Sequence, residues 1–390
     1  MSRPSGDLKS AIVAQLGRGF FRGMVEREKK PNVKRNKELD SLRGLAALSV
    51  LLYHALATNS SNLTAGISLE PVHTLGAQLL VYTPLHVVWL GAEAVWFFFM
   101  LSGFVLTRWA SRDTFTLDRY YPSRIVRLYL PVLAAVVLAW VAYTAATMPY
   151  PTQSMLLDAA LVGGTSTYMG VLWSLQWEVI FSLALPLYLI LLRDHRKASF
   201  IVAALACFAG FFLDVQAPSF LPMFFFGALL ADRWDWIVAR FQFLTTGTVK
   251  AHLAGFGLTV AAVCAITSFF TLGKAIAEFG LHARTITMPL IIIGICMIMV
   301  LGMLWPPLSR LLTLRPLVFL GAMSFSLYLV HRPIVLIYVH LLDAGKLAAV
   351  LAVATSLIIG WLFYLIVEKP AHKLARGIAS GQRAVVEVVA

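Results

Sequence analysis

Arg43 and His54 stand eleven residues apart in the first long apolar run, which opens Glu38-Leu39-Asp40-Ser41-Leu42-Arg43-Gly44-Leu45-Ala46 and runs on to Tyr53-His54. On an α-helix this spacing is about three turns and roughly 16 Å of rise, so the two side chains lie on nearly one face. A guanidinium recognises oxygen anions such as phosphate with paired donors. An imidazole can take a proton near neutral pH, or attack a carbonyl carbon itself. Titratable groups are costly in hydrocarbon, so such a pair inside a membrane span is a functional hypothesis by default.

Three more titratable groups fall in apolar runs: Glu93, Glu178 in Trp173-Ser174-Leu175-Gln176-Trp177-Glu178, and His331 in Ser324-Phe325-Ser326-Leu327-Tyr328-Leu329-Val330-His331. Counting rise along each span places all three near the depth of His54, roughly 20 Å from the inner edge. A second set is expected at the inner edge: Arg43, Ser102, Arg108, Arg119, Arg124, Arg127 and Glu368. Arg124 and Arg127 share a helix face, and such a cluster suits a phosphate-bearing cytosolic ligand. Plainer readings stand beside these. The arginines also serve as orientation signals, Glu178 and His331 also fit a buried structural network, and Ser102 beside Gly103 also fits close helix packing.

These groups must be positioned by membrane helices. The chain has 390 residues, 59% hydrophobic and 13% charged, with a mean hydropathy of +0.79. A soluble domain would carry about 25% charged residues, so the expectation is an all-α, polytopic transmembrane bundle. Ten spans are read, at about 41–58, 86–107, 128–147, 173–192, 198–213, 218–231, 252–272, 285–304, 317–340 and 346–367. With alternating spans and a cytoplasmic N-terminus, all of the 32 lysines and arginines except Lys274, Arg284, Arg332 and Lys346 fall on the inner side. That distribution follows the positive-inside rule and places both termini in the cytoplasm. It also removes the nucleic-acid reading that a net charge of +13 invites.

Residues 1–37 read as a basic cytoplasmic tail, 38–373 as one transmembrane domain and 374–390 as a cytoplasmic C-terminal tail. No cleavable signal peptide is read. Residues 11–16 with Phe20 and Phe21 fit an amphipathic segment on the inner membrane surface equally with a solvated tail. The three cysteines, Cys207, Cys264 and Cys296, lie singly in apolar runs and indicate neither a disulfide framework nor a metal site.

Four blocks together resemble the integral-membrane acyltransferase 3 family over residues 36–373. They are Leu39-Asp40-Ser41-Leu42-Arg43-Gly44 through His54; Phe97-Phe98-Phe99-Met100-Leu101-Ser102-Gly103-Phe104 followed by Arg124-Ile125-Val126-Arg127-Leu128-Tyr129-Leu130-Pro131; Leu172-Trp173-Ser174-Leu175-Gln176-Trp177-Glu178; and Leu320-Gly321-Ala322-Met323-Ser324 through His331, with Val367-Glu368-Lys369-Pro370. Ser41 stands where that family often has glycine and Phe325 where it often has tyrosine; neither departure removes a titratable group.

The resemblance implies an acyl-CoA donor from the cytoplasm, most often acetyl-CoA, and a hydroxyl acceptor on a polysaccharide, another sugar or a small metabolite. It implies no metal. Arg43, Ser102, Arg108, Arg124 and Arg127 are then the donor-side residues. His54 is either general base or transient acyl carrier, with Arg43, Glu93, Glu178 and His331 as its candidate helpers. The expected location is the inner or plasma membrane, with a second copy or glycan-export machinery as a possible partner. A transporter or flippase for a glycan or polar metabolite is the competing class, because polar groups at mid-depth on several spans suit that too. A membrane acyltransferase of the other common histidine-dependent type and a non-catalytic scaffold fit the motifs less well.

Overall fold

Asn36 starts the first helix, its side-chain oxygen accepting from the backbone N–H of Glu38 at 3.1 Å and of Leu39 at 3.2 Å. The cap satisfies donors that a helix start leaves free, and Glu38 and Asp40 add negative charge at the positive end of the helix dipole. The computed structural model describes residues 36–112, 115–162 and 166–380, and these are helical without strands. The proposed amphipathic segment at 11–21 lies outside the described residues.

The principal helices are α1 (Lys37–Asn59), α2 (Ala92–Ala110), α3 (Leu117–Ala145), α4 (Leu172–Asp194), α5 (Arg196–Leu213), α6 (Gln216–Asp232), α7 (Val249–Ile266), α8 (Ala283–Leu304), α9 (Ser324–Leu342), α10 (Lys346–Phe363) and α11 (Lys369–Ser380). Short helices join them. Eight are long and apolar enough to cross a membrane among the described residues: α1, α3, α4, α5, α7, α8, α9 and the continuous α10–α11 run. The two further runs read as spans correspond to α2 and α6. The first carries Glu93 and Arg108 near its ends; the second has 17 residues with Pro222 inside. A crossing of hydrocarbon takes about 20 apolar residues.

α2 and α6 pack at backbone distance. A Cβ on Gly103 would overlap the carbonyl of Phe224, and one on Gly227 would overlap the carbonyl of Met100. Small residues let membrane helices approach this closely. Gly227→Ala is therefore expected to destabilise the protein by about 1–3 kcal/mol, read as a lowered thermal midpoint in detergent. Gly76→Ala, at a position open to space, is the control and should leave the midpoint in place.

Two irregularities set the site. The run read as one span from 317 to 340 is broken at Met323 into a short helix, Arg315–Ala322, and α9. Gly321 meets Asp40 of α1 at backbone contact, and the break leaves the Gly321 carbonyl free for a side-chain donor. Between α10 and α11 the turn widens to a π-helix over Tyr364–Glu368. π-turns re-aim side chains and recur at functional sites; here Glu368 is fully buried.

α3 begins eleven residues before the apolar run that marks it. The stretch read as a cytoplasmic loop, carrying Arg119, Arg124 and Arg127, is its first three turns. Hydropathy detects the apolar part of a helix, not its basic beginning. The expected boundary at 373 lies within α11, whose Ala371 and Ala375 are buried and which packs against α3.

Candidate functional site

His54 and His331 meet across α1 and α9, with His331 Nε2 3.3 Å from His54 Nδ1 and ring centroids 5.1 Å apart. Each Nδ1 also faces the carbonyl one turn earlier: Val50 at 3.0 Å for His54 and Leu327 at 3.1 Å for His331. Carbonyls only accept, so the hydrogen-bond network assigns the hydrogen to Nδ1 in both rings. His331 Nε2 is then an acceptor, and the His54 Nδ1–H is shared between it and Val50. The free lone pair of the dyad is on His54 Nε2. His331 is fully buried, while His54 is part exposed. Tyr53 stands edge-on to His54 at 5.2 Å.

Toward the N-terminal end of α1 lies the polar ladder. Tyr328, one turn before His331, bonds Ser174 Oγ at 2.7 Å, with Phe98 edge-on at 5.5 Å. One turn further along α4, Glu178 Oε1 accepts from Ser102 Oγ at 2.6 Å and from the Arg124 guanidinium. Arg124 Nε donates to Ser182 Oγ at 3.1 Å. Arg43 Nη2 donates to the freed Gly321 carbonyl at 2.9 Å and its Nε to Ser324 Oγ at 2.7 Å, so it closes the broken helix end where a cation also suits the dipole. Glu368 Oε2 accepts from Ser326 N at 3.0 Å and Ser326 Oγ at 2.5 Å.

Arg127 differs from these. It lies within electrostatic reach of Arg43, Arg124, Glu178 and Glu368, is part exposed, and makes no hydrogen bond among the described residues. Arg108 has Asp235 and Arg112 as its charged neighbours and stands apart from this group.

Of the four groups expected at one depth, His54 and His331 meet, and Glu93, an electrostatic neighbour of Tyr53, is engaged elsewhere; Glu178 lies at another level. Glu178 sits a helical turn past Ser174, at the level of Ser102 and Arg124, because α4 starts at Leu172 and its Ser174 is already level with Tyr328. Glu93 is buried against Arg284 of α8 at 3.4 Å. That guanidinium stacks on Phe269 at 3.9 Å. Among the described residues, the hydrogen bonds of His54 go to Val50 and His331, so its neighbour is the second histidine and not a carboxylate.

Over the His54 end, described residues on either side of 163–165 hold one another and α3. Tyr143 OH donates to the Tyr168 carbonyl at 2.8 Å, and Asp158 accepts from Tyr150 OH at 2.7 Å and from Ser166 Oγ. Burial pushes the Asp158 carboxyl above its usual range, and the Ser166 and Tyr150 hydroxyls oppose this. At the C-terminal end of α1, an open cleft of about 620 Å³ is lined by Thr58, Asn59, Ser61, Thr64, Ser68 and Glu70 among others.

Sequence reasoning missed Arg332, Arg284, Tyr328 and Ser182. Arg332 and Arg284 carried a signal as charges off the inner side, and Tyr328 as a member of the His331 block; Ser182 carried none. Among the described residues no group of three His, Cys, Asp or Glu is placed to hold a metal ion. The described polar groups therefore fall into two clusters, the arginines with Glu178 and Glu368 toward one end and the histidine pair toward the other, and Thr58 of the cleft lies one turn beyond His54.

Three comparisons bear on this geometry. The profile of a family described as an acyltransferase domain, acyltransferase 3, matches residues 36–365. Acyltransferase MdmB of Streptomyces mycarofaciens is 27% identical, over 88% of this chain and 93% of its own. No solved structure matches.

Proposed function

The chain belongs to the acyltransferase 3 family, and from that premise we propose that it moves an acyl group, acetyl by default, from acyl-CoA to a hydroxyl of a sugar, glycan or other polar acceptor. The observation that carries the reading is the His54–His331 dyad with its lone pair on His54 Nε2. The transmembrane domain at 38–373 houses the reaction, in the cell membrane, with both termini and the Arg43 end on the cytoplasmic side, as the lysine and arginine distribution supports.

In the transfer step the acceptor oxygen attacks the thioester carbonyl carbon as its proton passes to His54 Nε2. The new C–O bond forms and the carbonyl π pair moves onto oxygen. That pair returns as the C–S bond breaks, and the thiolate collects the proton from Nε2. The positive charge that visits His54 is shared, because Nδ1–H already points at His331 Nε2. The same contact serves a covalent route. If Nε2 attacks the thioester itself, the C–S bond breaks and CoA leaves as the thiolate while the Nδ1 proton passes to His331, giving a neutral acyl-imidazole. The acceptor oxygen then attacks its carbonyl, the C–N bond breaks, His331 returns the proton to Nδ1 and the acceptor's proton goes to the thiolate.

Arg127 is the cation free to bind CoA phosphate, with Arg43 and Ser102 along the thioester's path. Arg124 contributes by holding Glu178, and Arg108 lies too far toward Asp235 to be placed in the same grip. Arg127→Ala is expected to weaken binding of a non-hydrolysable acyl-CoA analogue by roughly 10- to 100-fold, the worth of a charged hydrogen bond or two. Calorimetry with the purified variant checks this; unchanged affinity would remove Arg127 from the donor site.

The reading as a whole is tested with purified protein and radiolabelled acetyl-CoA, propionyl-CoA and succinyl-CoA, following label into glycan or small-alcohol acceptors or into free acid. A transporter leaves every thioester intact. Mass spectrometry of glycans and small metabolites from cells with and without the gene would then identify acyl group and acceptor together.

A further inference from the structure

The mechanism above leaves one membrane cation without a task. Arg332 follows His331 on α9, is part exposed, and donates from Nη1 to Thr58 Oγ1 at 3.0 Å. Thr58 is four residues after His54 on α1, so on the helix it stands directly beyond it on the same face. The guanidinium is thereby held over the dyad, anchored to one histidine by sequence and to the other by the helix turn. Its Nε lies 3.6 Å from the space a side chain at Gly170 would occupy, so the absence of a side chain there leaves room beside the guanidinium.

Arg332 has no carboxylate in ion-pair range among the described residues. Its electrostatic neighbours are Tyr53, Tyr143 and His54. Arg124 and Arg284 have such counterparts in Glu178 and Glu93, and Arg127 has Glu178 and Glu368 within electrostatic reach. An uncompensated guanidinium at a membrane site is costly, and a cation beside His54 also opposes the imidazolium that forms there. Both costs vanish at the moment when a negative charge develops next to them. The acyl carbonyl oxygen bears such a charge in either route of transfer, and only in the transition state and the tetrahedral intermediate. Thr58 also lines the polar cleft at the end of α1, so the guanidinium it holds is tied to a cleft wall one turn beyond His54.

We propose that Arg332 is a catalytic residue of the transfer step, its free N–H groups binding the oxyanion formed on the acyl carbonyl, with Thr58 fixing the guanidinium in place. The inference rests on His54 as the transfer centre. Donors aimed at developing charge lower the barrier without tightening ground-state binding. Arg332→Met should therefore reduce kcat by roughly 10²- to 10³-fold, with donor and acceptor KM within about threefold of wild type. Arg332→Lys, which keeps the charge but not the fork, should recover part of the loss. Thr58→Val, which only releases Nη1, should give a smaller fall in kcat of the same kind.

The variants are assayed beside wild type and His54→Ala in detergent, after gel filtration confirms folding. If Arg332→Met does not fold, Arg332→Lys and Thr58→Val decide the point by the same kcat and KM split. A raised acceptor KM with kcat intact would make Arg332 an acceptor anchor and overturn the proposal. Wild-type kcat in the Arg332 and Thr58 variants, with His54→Ala inactive, would overturn the proposal alone. Absence of transfer by wild type, or full activity of His54→Ala, would overturn the His54 reading and this inference with it.

Discussion

His54→Ala is expected to abolish acyl transfer, by at least roughly 10³-fold, in a protein that still inserts and purifies as the wild type does. The argument is one of unique position. His54 Nε2 is the only lone pair the dyad presents, since both Nδ1 atoms are committed as donors to carbonyls and His331 Nε2 is occupied by the His54 Nδ1–H. His331 is fully buried and reaches the reaction through His54 alone. Its replacement by Asn should therefore cost less than the loss of His54, leaving a base without the partner that shares its charge. Label transfer from acyl-CoA, measured on variants matched for thermal midpoint, reads both. Activity of His54→Ala within tenfold of wild type would remove the residue from catalysis. Greater loss from His331→Asn than from His54→Ala would reverse the two roles.

The second large effect is on stability. Glu178→Ala should destabilise the protein by about 3–5 kcal/mol, because it leaves the Arg124 guanidinium buried without its counter-charge. The two side chains are 9% and 15% exposed, Arg124 first, and neither hydrocarbon nor packed helix offers the water that would replace the lost partner. Ser102 and Ser182 would remain, but hydroxyls carry no charge. Replacing both members, Arg124→Met with Glu178→Leu, should restore much of the midpoint, as it does where a buried pair yields to apolar packing. The contrast separates two roles for Arg124. If Arg124→Met folds at the wild-type midpoint yet loses acyl-CoA affinity, the arginine faces the donor; if it is unstable and the double variant is not, it belongs to the α3–α4 interface.

The chemistry-bearing residues were legible because their types are out of place. Arginine, histidine and glutamate in apolar runs stand out whatever the fold, and Arg43 and His54 needed only the helical repeat to be put on one face. Their separation is a property of one helix. The error came with counting depth across several helices. Glu178 was placed beside His54 by adding rise from assumed span ends, yet α4 begins at Leu172 and its Ser174 already meets Tyr328. A shift of one turn in a span boundary is enough to change a carboxylate's partner. The break at Met323 escaped for a related reason: the residues around it are as apolar as those of an unbroken span, and what accompanies it, the close approach of Gly321 to Asp40, is a contact between distant segments.

Sequence alone thus determined what each helix can contribute: the membrane class, most of the helical runs, and the Arg43-to-His54 register, all set by local periodicity and the cost of charge in hydrocarbon. Tertiary structure decided which of those groups meet. The His54–His331 contact, the Arg124–Glu178 and Glu93–Arg284 pairs, and the unpaired Arg332 over the dyad depend on how far each helix is rotated and slid against its neighbours. That is fixed by close approaches such as Gly103 on Phe224 and Gly227 on Met100, where two segments far apart in the chain fit each other and neither carries the information by itself.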